Sequence, residues 1–238
     1  MALYRDSGVV LRTYKLGEAD RIVVFMTRGR GKVRAVAKGV RKTKSRFGGR
    51  LEPTSHVNLQ LYEGRGELDI VTQAEAVEPF RGIRSSLARM ERAVAMLEVV
   101  DQVAQEGEEN PQLYDMLVGG LRTVEHRDTP LVTPAFFLKL LGAEGVGLYV
   151  EGCIQCGRED SLTSIDLDDG GLRCVDHPGP QPMSANAVML QQVLGGHLAW
   201  ALDQPVTPEV WEVDHLAHVA MERHVDRRLR ALRLIERA

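Results

Sequence analysis

The chain has no apolar run approaching the roughly 18 consecutive residues that cross a bilayer, so no membrane partner is expected. Its opening residues, Met1-Ala2-Leu3-Tyr4-Arg5-Asp6, hold no apolar stretch of the kind a secretory signal needs. Cysteine is scarce, with three in 238 residues, too few for a disulfide scaffold. Together these features point to the reducing cytoplasm. Motifs of catalysis are also missing. No G-x4-G-K-[ST] phosphate loop occurs, which leaves ATP hydrolysis unsupported, and Gly29-Arg30-Gly31 and Gly64-Arg65-Gly66 read as turns rather than dinucleotide fingerprints. Asp166, Asp168 and Asp169 form a local acidic run, whereas a two-metal nuclease needs carboxylates that converge from several elements. A zinc deaminase would carry a glutamate two residues after a histidine, but His177 is followed by Pro178-Gly179. There is no internal repeat and no low-complexity segment. The expectation is a soluble protein that is not an enzyme.

What is present is an uneven distribution of charge. Hydrophobic residues make up 44% and charged residues 26% of the chain, ordinary for a globular protein. The net charge of -3 conceals a split: residues 1–80 hold 15 Lys+Arg against 9 Asp+Glu, and residues 81–238 hold 15 against 24. One end is therefore built to meet a polyanion. The excess concentrates in ten cations with no acidic residue among them: Arg28, Arg30, Lys32, Arg34, Lys38, Arg41, Lys42, Lys44, Arg46 and Arg50. Several cations in sequence, with glycines that let backbone approach backbone, suit a phosphate chain, because each neutralised phosphate releases condensed counterions. A solvated edge strand explains one or two such residues but not ten. Phe47, within the run, is placed either to stack on a base or to pack beneath the loop. Composition does not separate DNA from RNA, so an RNA-binding barrel of translation or ribosome assembly stays open, as does an adaptor that docks a partner protein.

The periodicity predicts an α+β fold. Short alternating or apolar runs at Gly8–Tyr14, Arg21–Thr27, Lys32–Lys38, Ser55–Tyr62 and Glu67–Gln73 read as five strands. Closure into a small barrel is the economical way to bury them, since it leaves no open edge. Near Pro79 the period changes. Ile83, Leu87, Met90, Val94 and Leu97 lie on one helical face, a second helix is expected over Pro111–Glu125, and a third starts at Pro134 and runs through Leu141. A further helix is expected from an N-cap at Ser184 to about Leu202, and a last one from Thr207-Pro208, ending on Arg223, Arg227, Arg228, Arg230, Arg233 and Arg237. The resulting domains are a barrel at 1–80, a helical domain at 81–148 and 183–238, and an insertion at 149–182.

That insertion contains every cysteine, as Cys153-Ile154-Gln155-Cys156 and Cys174-Val175-Asp176-His177, separated by 17 residues. Each x2 knuckle offers two donors from one tight turn, and the interval accommodates a hairpin. Tetrahedral zinc takes four such ligands, here Cys153, Cys156, Cys174 and His177. Four protein ligands leave no open position, so the ion would be structural. A redox pair at C-x2-C is the rival reading, disfavoured by the matching C-x2-H.

In this order, Gly17-Glu18-Ala19-Asp20-Arg21, Gly31-Lys32-Val33-Arg34-Ala35-Val36-Ala37-Lys38-Gly39, Lys44-Ser45-Arg46-Phe47-Gly48-Gly49-Arg50-Leu51-Glu52-Pro53 and Gly64-Arg65-Gly66-Glu67-Leu68 resemble the N-terminal domain of the RecO family of recombination mediators. Phe137-Leu138-Lys139-Leu140-Leu141, ahead of Cys153-Ile154-Gln155-Cys156-Gly157, resembles its C-terminal region. The resemblance implies an N-terminal OB-fold, a helical domain with a zinc-binding insertion, and a role in recombinational DNA repair. It further implies binding to single- and double-stranded DNA, annealing of complementary strands, and partnership with RecR in loading RecA onto DNA coated with single-strand binding protein (SSB), all in the cytoplasm at the nucleoid. By position it places Arg28 to Arg50 on the DNA-binding part of the barrel and Cys153, Cys156, Cys174 and His177 on the metal ligands. Family members commonly have a cysteine where this chain has His177, and Asp176 and His197 are the other donors to weigh.

Overall fold

The computed structural model describes residues 2–64 and 66–229, with the backbone alone for Ala185 and Asn186. The Gly64–Gly66 turn is thus described without Arg65, and the basic positions Arg230, Arg233 and Arg237 lie outside the described residues. The chain divides into two compact units, one reaching to His126 and the other spanning Arg127–Arg228.

Five strands open the first unit: β1 (Leu3–Leu16), β2 (Asp20–Thr27), β3 (Gly31–Ala37), β4 (His56–Tyr62) and β5 (Asp69–Glu78). They close in the order β1-β2-β3-β5-β4, all antiparallel except β3 against β5. This is the five-stranded Greek-key barrel of an OB-fold. β1 is longer than the Gly8–Tyr14 run because it serves both neighbours. Its first half, Leu3–Val9, pairs with β4, and its second half, from Gly8, pairs with β2. The two ladders overlap at Gly8 and Val9, and a Cβ on Gly8 would stand 3.1 Å from Leu59 Cδ1 and 3.3 Å from Thr27 Cγ2. An irregularity between Val10 and Arg12 follows and bends the strand from one partner toward the other. Inward positions Val10, Val23, Phe25, Val33, Ala35, Val57, Leu59, Leu61 and Val71 fill the core.

Three helices follow within this unit: α1 (Arg81–Ser85), α2 (Leu87–Val103) and α3 (Pro111–His126). The continuous helix expected from Ile83 is broken. Ser86 is extended and its side chain accepts a hydrogen bond from the Arg89 N–H, starting a new helix. Consequently Leu87 is 73% exposed rather than facing the core, and the buried positions of α2 include Ala93, Met96, Leu97 and Val100. The Glu125 carboxylate of α3 accepts from the backbone N–H groups of Gly82 and Ile83 at 2.8 Å each and closes the start of α1. α3 is tied to the barrel by a buried histidine. His56 contacts Tyr114 Oη through Nε2 at 2.8 Å and Glu78 through Nδ1 at 3.0 Å, while Arg122 grips the same glutamate. Burial pushes the His56 pKa down, against the opposing pull of the Glu78 carboxylate.

The second unit is built round α4 (Val132–Ala143), which starts two residues ahead of Pro134 and is buried from Val132 to Leu141 apart from Lys139. A three-stranded sheet, order β7-β6-β8, comes next, made of β6 (Leu162–Asp166), β7 (Gly171–Cys174) and β8 (Gln181–Pro182). α5 (Val188–Leu194), α6 (Leu198–Leu202) and α7 (Pro208–His224) complete the unit. The single helix expected over Ser184–Leu202 is interrupted at Gly195-Gly196, where Gly196 has φ +92°. Ser184 does not cap it; its N–H donates instead to Glu212 at 2.9 Å. α7 packs on α4, with the Phe137 and His218 rings 5.2 Å apart and nearly perpendicular.

Candidate nucleic-acid interface and metal centre

Strand alternation puts Lys32 and Arg34 on the outer face of β3 while Val33, Ala35 and Ala37 point inward. The structure does not leave these cations free. Lys32 Nζ donates to the Asp101 carbonyl at 2.8 Å and lies 3.9 Å from its carboxylate. Asp101 also receives Arg12 Nε at 2.8 Å. Arg34 reaches Glu67 at 3.6 Å and Glu106 at 3.7 Å. Arg28 pairs with Asp115 at 3.1 Å, and Arg30 lies 3.8 Å over the Tyr4 ring with Glu63 3.7 Å away. The acidic segment after α2 lies directly on β3: Lys32 N–H donates to Gln105 O, Gly107 N–H donates to Lys32 O, and a Cβ on Gly31 would stand 1.7 Å from Glu108 O.

From Lys38 onward the surroundings change. Lys38, Arg41, Lys42, Lys44, Arg46 and Arg50 are all exposed, and among the described residues none of them has a carboxylate partner. The arginines instead brace backbone. Arg41 donates to the carbonyls of Gly17 and Glu18 at 3.2 and 2.9 Å, Arg46 to Val71 O at 3.5 Å, and Arg50 to Arg46 O at 3.0 Å. Such bonds shape the loop and leave each guanidinium its positive charge. Phe47 is 1% exposed within the barrel core, with Arg46 4.8 Å over its ring. It packs and cannot stack on a base, because the short 3-10 turn Gly48–Leu51 folds it inward together with Leu51.

Two cations missed by inspection of the run join this end of the barrel. Lys15 pairs in register with Arg21 across β1 and β2, one step before the turn that Arg41 holds. Arg21 in turn bonds Glu52 at 2.7 Å. Their proximity to the loop depends on the hairpin register, and Gly39 N–H, donating to Asp20 at 2.7 Å, ties the start of the loop to the same hairpin.

In the second unit the donor atoms of Cys153, Cys156, Cys174 and His177 lie within 4.8 Å of one another. Cys156 Sγ is 3.7 Å from Cys174 Sγ, and Cys174 Sγ is 3.5 Å from His177 Nδ1. A tetrahedron with metal–sulfur bonds of about 2.3 Å and a metal–nitrogen bond of about 2.05 Å has edges of roughly 3.75 and 3.55 Å, so the residues fit a metal ion. The first knuckle is formed by Gly157 N–H donating to Cys153 O at 2.8 Å and Cys153 N–H donating to Arg158 O at 2.7 Å, and Gly157 takes φ +77° to close it. The second is closed by His177 N–H to Cys174 O at 3.0 Å. Burial pushes the Cys153 thiol up, but backbone N–H groups of Cys174, Gln155 and Cys156 outweigh it and hold the thiol down at about 6. Asp176 is turned away, ion-paired with Arg158 at 2.5 Å, and His197 is not in the cluster. The acidic run is a hairpin turn: Asp166 accepts from the N–H groups of Asp168 and Asp169, Arg173 pairs with Asp166 and Asp169, and Arg223 reaches Asp168 at 2.8 Å.

Comparison with known proteins identifies the family. Residues 1–80 match the family model for the recombination protein O N terminal region, and residues 84–233 match that for its C terminal region. Proteins named DNA repair protein RecO from Streptomyces griseus and Streptomyces avermitilis are 42% and 43% identical to this chain over the whole of both sequences. The protein of that name from Frankia casuarinae is 42% identical over the same extent.

Proposed function

The chain belongs to the RecO family of DNA repair proteins, and from that membership we propose that it is a non-catalytic recombination mediator that binds single- and double-stranded DNA through its OB-fold. It anneals complementary strands and, with RecR, helps load RecA onto SSB-coated DNA, in the cytoplasm at the nucleoid. The observation that carries this reading is the cluster Lys38, Arg41, Lys42, Lys44, Arg46 and Arg50, exposed and without carboxylate partners among the described residues. Annealing brings two polyanions together. Cations already committed to Asp101, Asp115 or Glu106 contribute little, whereas exposed ones release counterions from both strands and lower their repulsion. Base pairing then supplies the driving force, and no nucleotide hydrolysis is required.

We infer further that the Cys3His cluster holds structural zinc. Thiolate and imidazole donors at tetrahedral edge lengths suit that ion, and four protein ligands leave no position for water. When bound, the ion joins the two knuckles; the chain's own part is to orient the sulfurs through the backbone bonds at Cys153, Gly157 and His177.

The test is strand annealing without ATP, using complementary oligonucleotides, one dye-labelled, both coated with SSB. Acceleration that falls steeply with added salt is expected. No acceleration at any salt, with oligonucleotide binding intact, would remove the mediator reading and leave nucleic-acid binding alone.

A further inference from the structure

The outer face of β1, β2, β3 and β5 carries an apolar row that the basic loop does not explain. Register places Tyr14 opposite Ile22, Ile22 opposite Val36, and Val36 opposite Ile70. The neighbouring inward positions Val23, Ala35 and Val71 are in the barrel core, so these four side chains share the outward side. Ile22, Val36 and Ile70 are half-buried, and Tyr14 is 42% exposed. The next cross-strand row is Arg12, Val24 and Arg34, and Lys38 follows Val36 two residues on, at the same parity. Arg12 and Arg34 thus flank the apolar row on one side; on the other Leu16 pairs with Asp20, whose carboxylate accepts from the Gly39 N–H, and Lys38 is the cation. Tyr14 is also held in place: Arg12 lies 4.9 Å from its ring centre, and Arg12 is itself fixed by the buried Asp101 at 2.8 Å.

We propose that Tyr14 is a stacking platform for an unpaired base, so that this face engages single-stranded nucleic acid through its bases as well as its phosphates. The proposal rests on the reading of the barrel as a DNA-binding domain and adds the class of strand that it prefers. An aromatic ring braced from one side loses little rotamer freedom when a base settles on it. The half-buried Ile22 and Val36 extend the apolar floor, and Lys38, exposed and without a carboxylate partner among the described residues, lies where a backbone beside a stacked base would run. In a duplex the bases are already stacked on one another and present no open face, so the gain belongs to single strands.

The test compares three probes of one length, a single-stranded oligonucleotide, its duplex and an abasic strand, on the full chain. Tyr14→Ala should weaken single-strand binding by about 5- to 150-fold, the range for loss of one stacked base, with the salt slope and the duplex affinity unchanged. Tyr14→Phe should bind as the parent does. The parent should bind the abasic strand more weakly than the normal strand by a similar factor, a result that needs no variant, and Tyr14→Ala should show no further loss on it. Parent binding that does not distinguish abasic from normal strands, or Tyr14→Ala binding that equals the parent's, overturns the platform. If that happens while charge reversal at Lys38, Lys42 and Lys44 still abolishes binding, the DNA-binding reading stands without it. If the parent binds none of the three probes, both fall.

Discussion

Four donor atoms at Cys153, Cys156, Cys174 and His177 lie within 4.8 Å of one another, whereas the ten cations between Arg28 and Arg50 spread over unlike surroundings. The metal cluster is made by two turns that each close on themselves, so its geometry is nearly independent of the rest of the chain. The basic run is contiguous in sequence but is divided by what folds against it. From Arg28 to Arg34, each cation meets a carboxylate or an aromatic ring supplied from elsewhere in the first unit. From Lys38 onward, no cation of the run has a carboxylate partner among the described residues. Proximity along the chain thus converts into a site when the partners are local, and into a mixture of structural and available charge when they are not.

The largest expected effect falls on the cluster. Cys153→Ser replaces a buried thiol with a hydroxyl that is a poor zinc ligand. Metal content measured after purification should fall from one ion per chain toward none, and the second unit should lose on the order of 4 kcal/mol or more of stability. DNA binding by the first unit should persist. Loss of DNA affinity as large as the loss of stability would show that the two regions are not independent and would break the comparison.

Next comes the free half of the run. Reversal of Lys38, Lys42 and Lys44 to Glu should reduce DNA affinity on the order of 100-fold at low salt, and flatten the salt slope by about 2 for single strands. The same treatment of Arg28 and Arg30 should cost only a few-fold, since both already have partners in the first unit. Equal losses from the two sets would mean that the carboxylates facing Arg28 and Arg30 do not withhold charge.

The two regions were not equally legible in the sequence. Ligand spacing picked out the four residues whose donor atoms come together, because a C-x2-C or C-x2-H turn is complete within four residues. The barrel was readable from alternation at Lys32–Ala37 and His56–Tyr62, where one face is core. The division of the basic run was hidden because Asp101 and Asp115 pair with Lys32 and Arg28 across 69 and 87 residues. Phe47 read as ambiguous for the same reason, since its burial depends on β5 and the core beneath it. The break at Ser86 was concealed by a regular apolar spacing that runs straight through the new helix start. Tyr14 lies outside the run altogether and gains its flanking cations only through β-sheet register.

Asp101→Ala tests the held half directly. The Asp101 side chain is 4% exposed and faces both Arg12 and Lys32. Its removal leaves the half-buried Lys32 without that carboxylate, while Arg12, half exposed, can regain water. The first unit should lose about 2–3 kcal/mol, less than for a fully buried pair, measured by urea unfolding. DNA affinity should not fall, because two cations are released rather than removed. A fall comparable with that of the triple lysine variant would assign Arg12 and Lys32, as positioned by Asp101, to the DNA contact itself.

The smallest expected effect concerns Glu106, whose carboxylate is half exposed and 3.7 Å from Arg34. Glu106→Gln keeps the shape and the backbone bridge between the segment after α2 and β3, so stability should change by no more than about 0.5 kcal/mol. Without the negative charge, Arg34 should be more available to phosphate, and single-strand affinity should rise about twofold at low salt. The gain should fade as salt rises, since the Debye length shrinks to about 3 Å at 1 M and an exposed pair is then screened. Combining the change with Arg34→Ala separates the local contact from a general rise in positive charge. If Glu106 acts by occupying Arg34, the gain disappears in the double variant. If it persists undiminished, Glu106 acts only through the overall field of the barrel, and Glu67, 3.6 Å from Arg34, is the carboxylate that holds it.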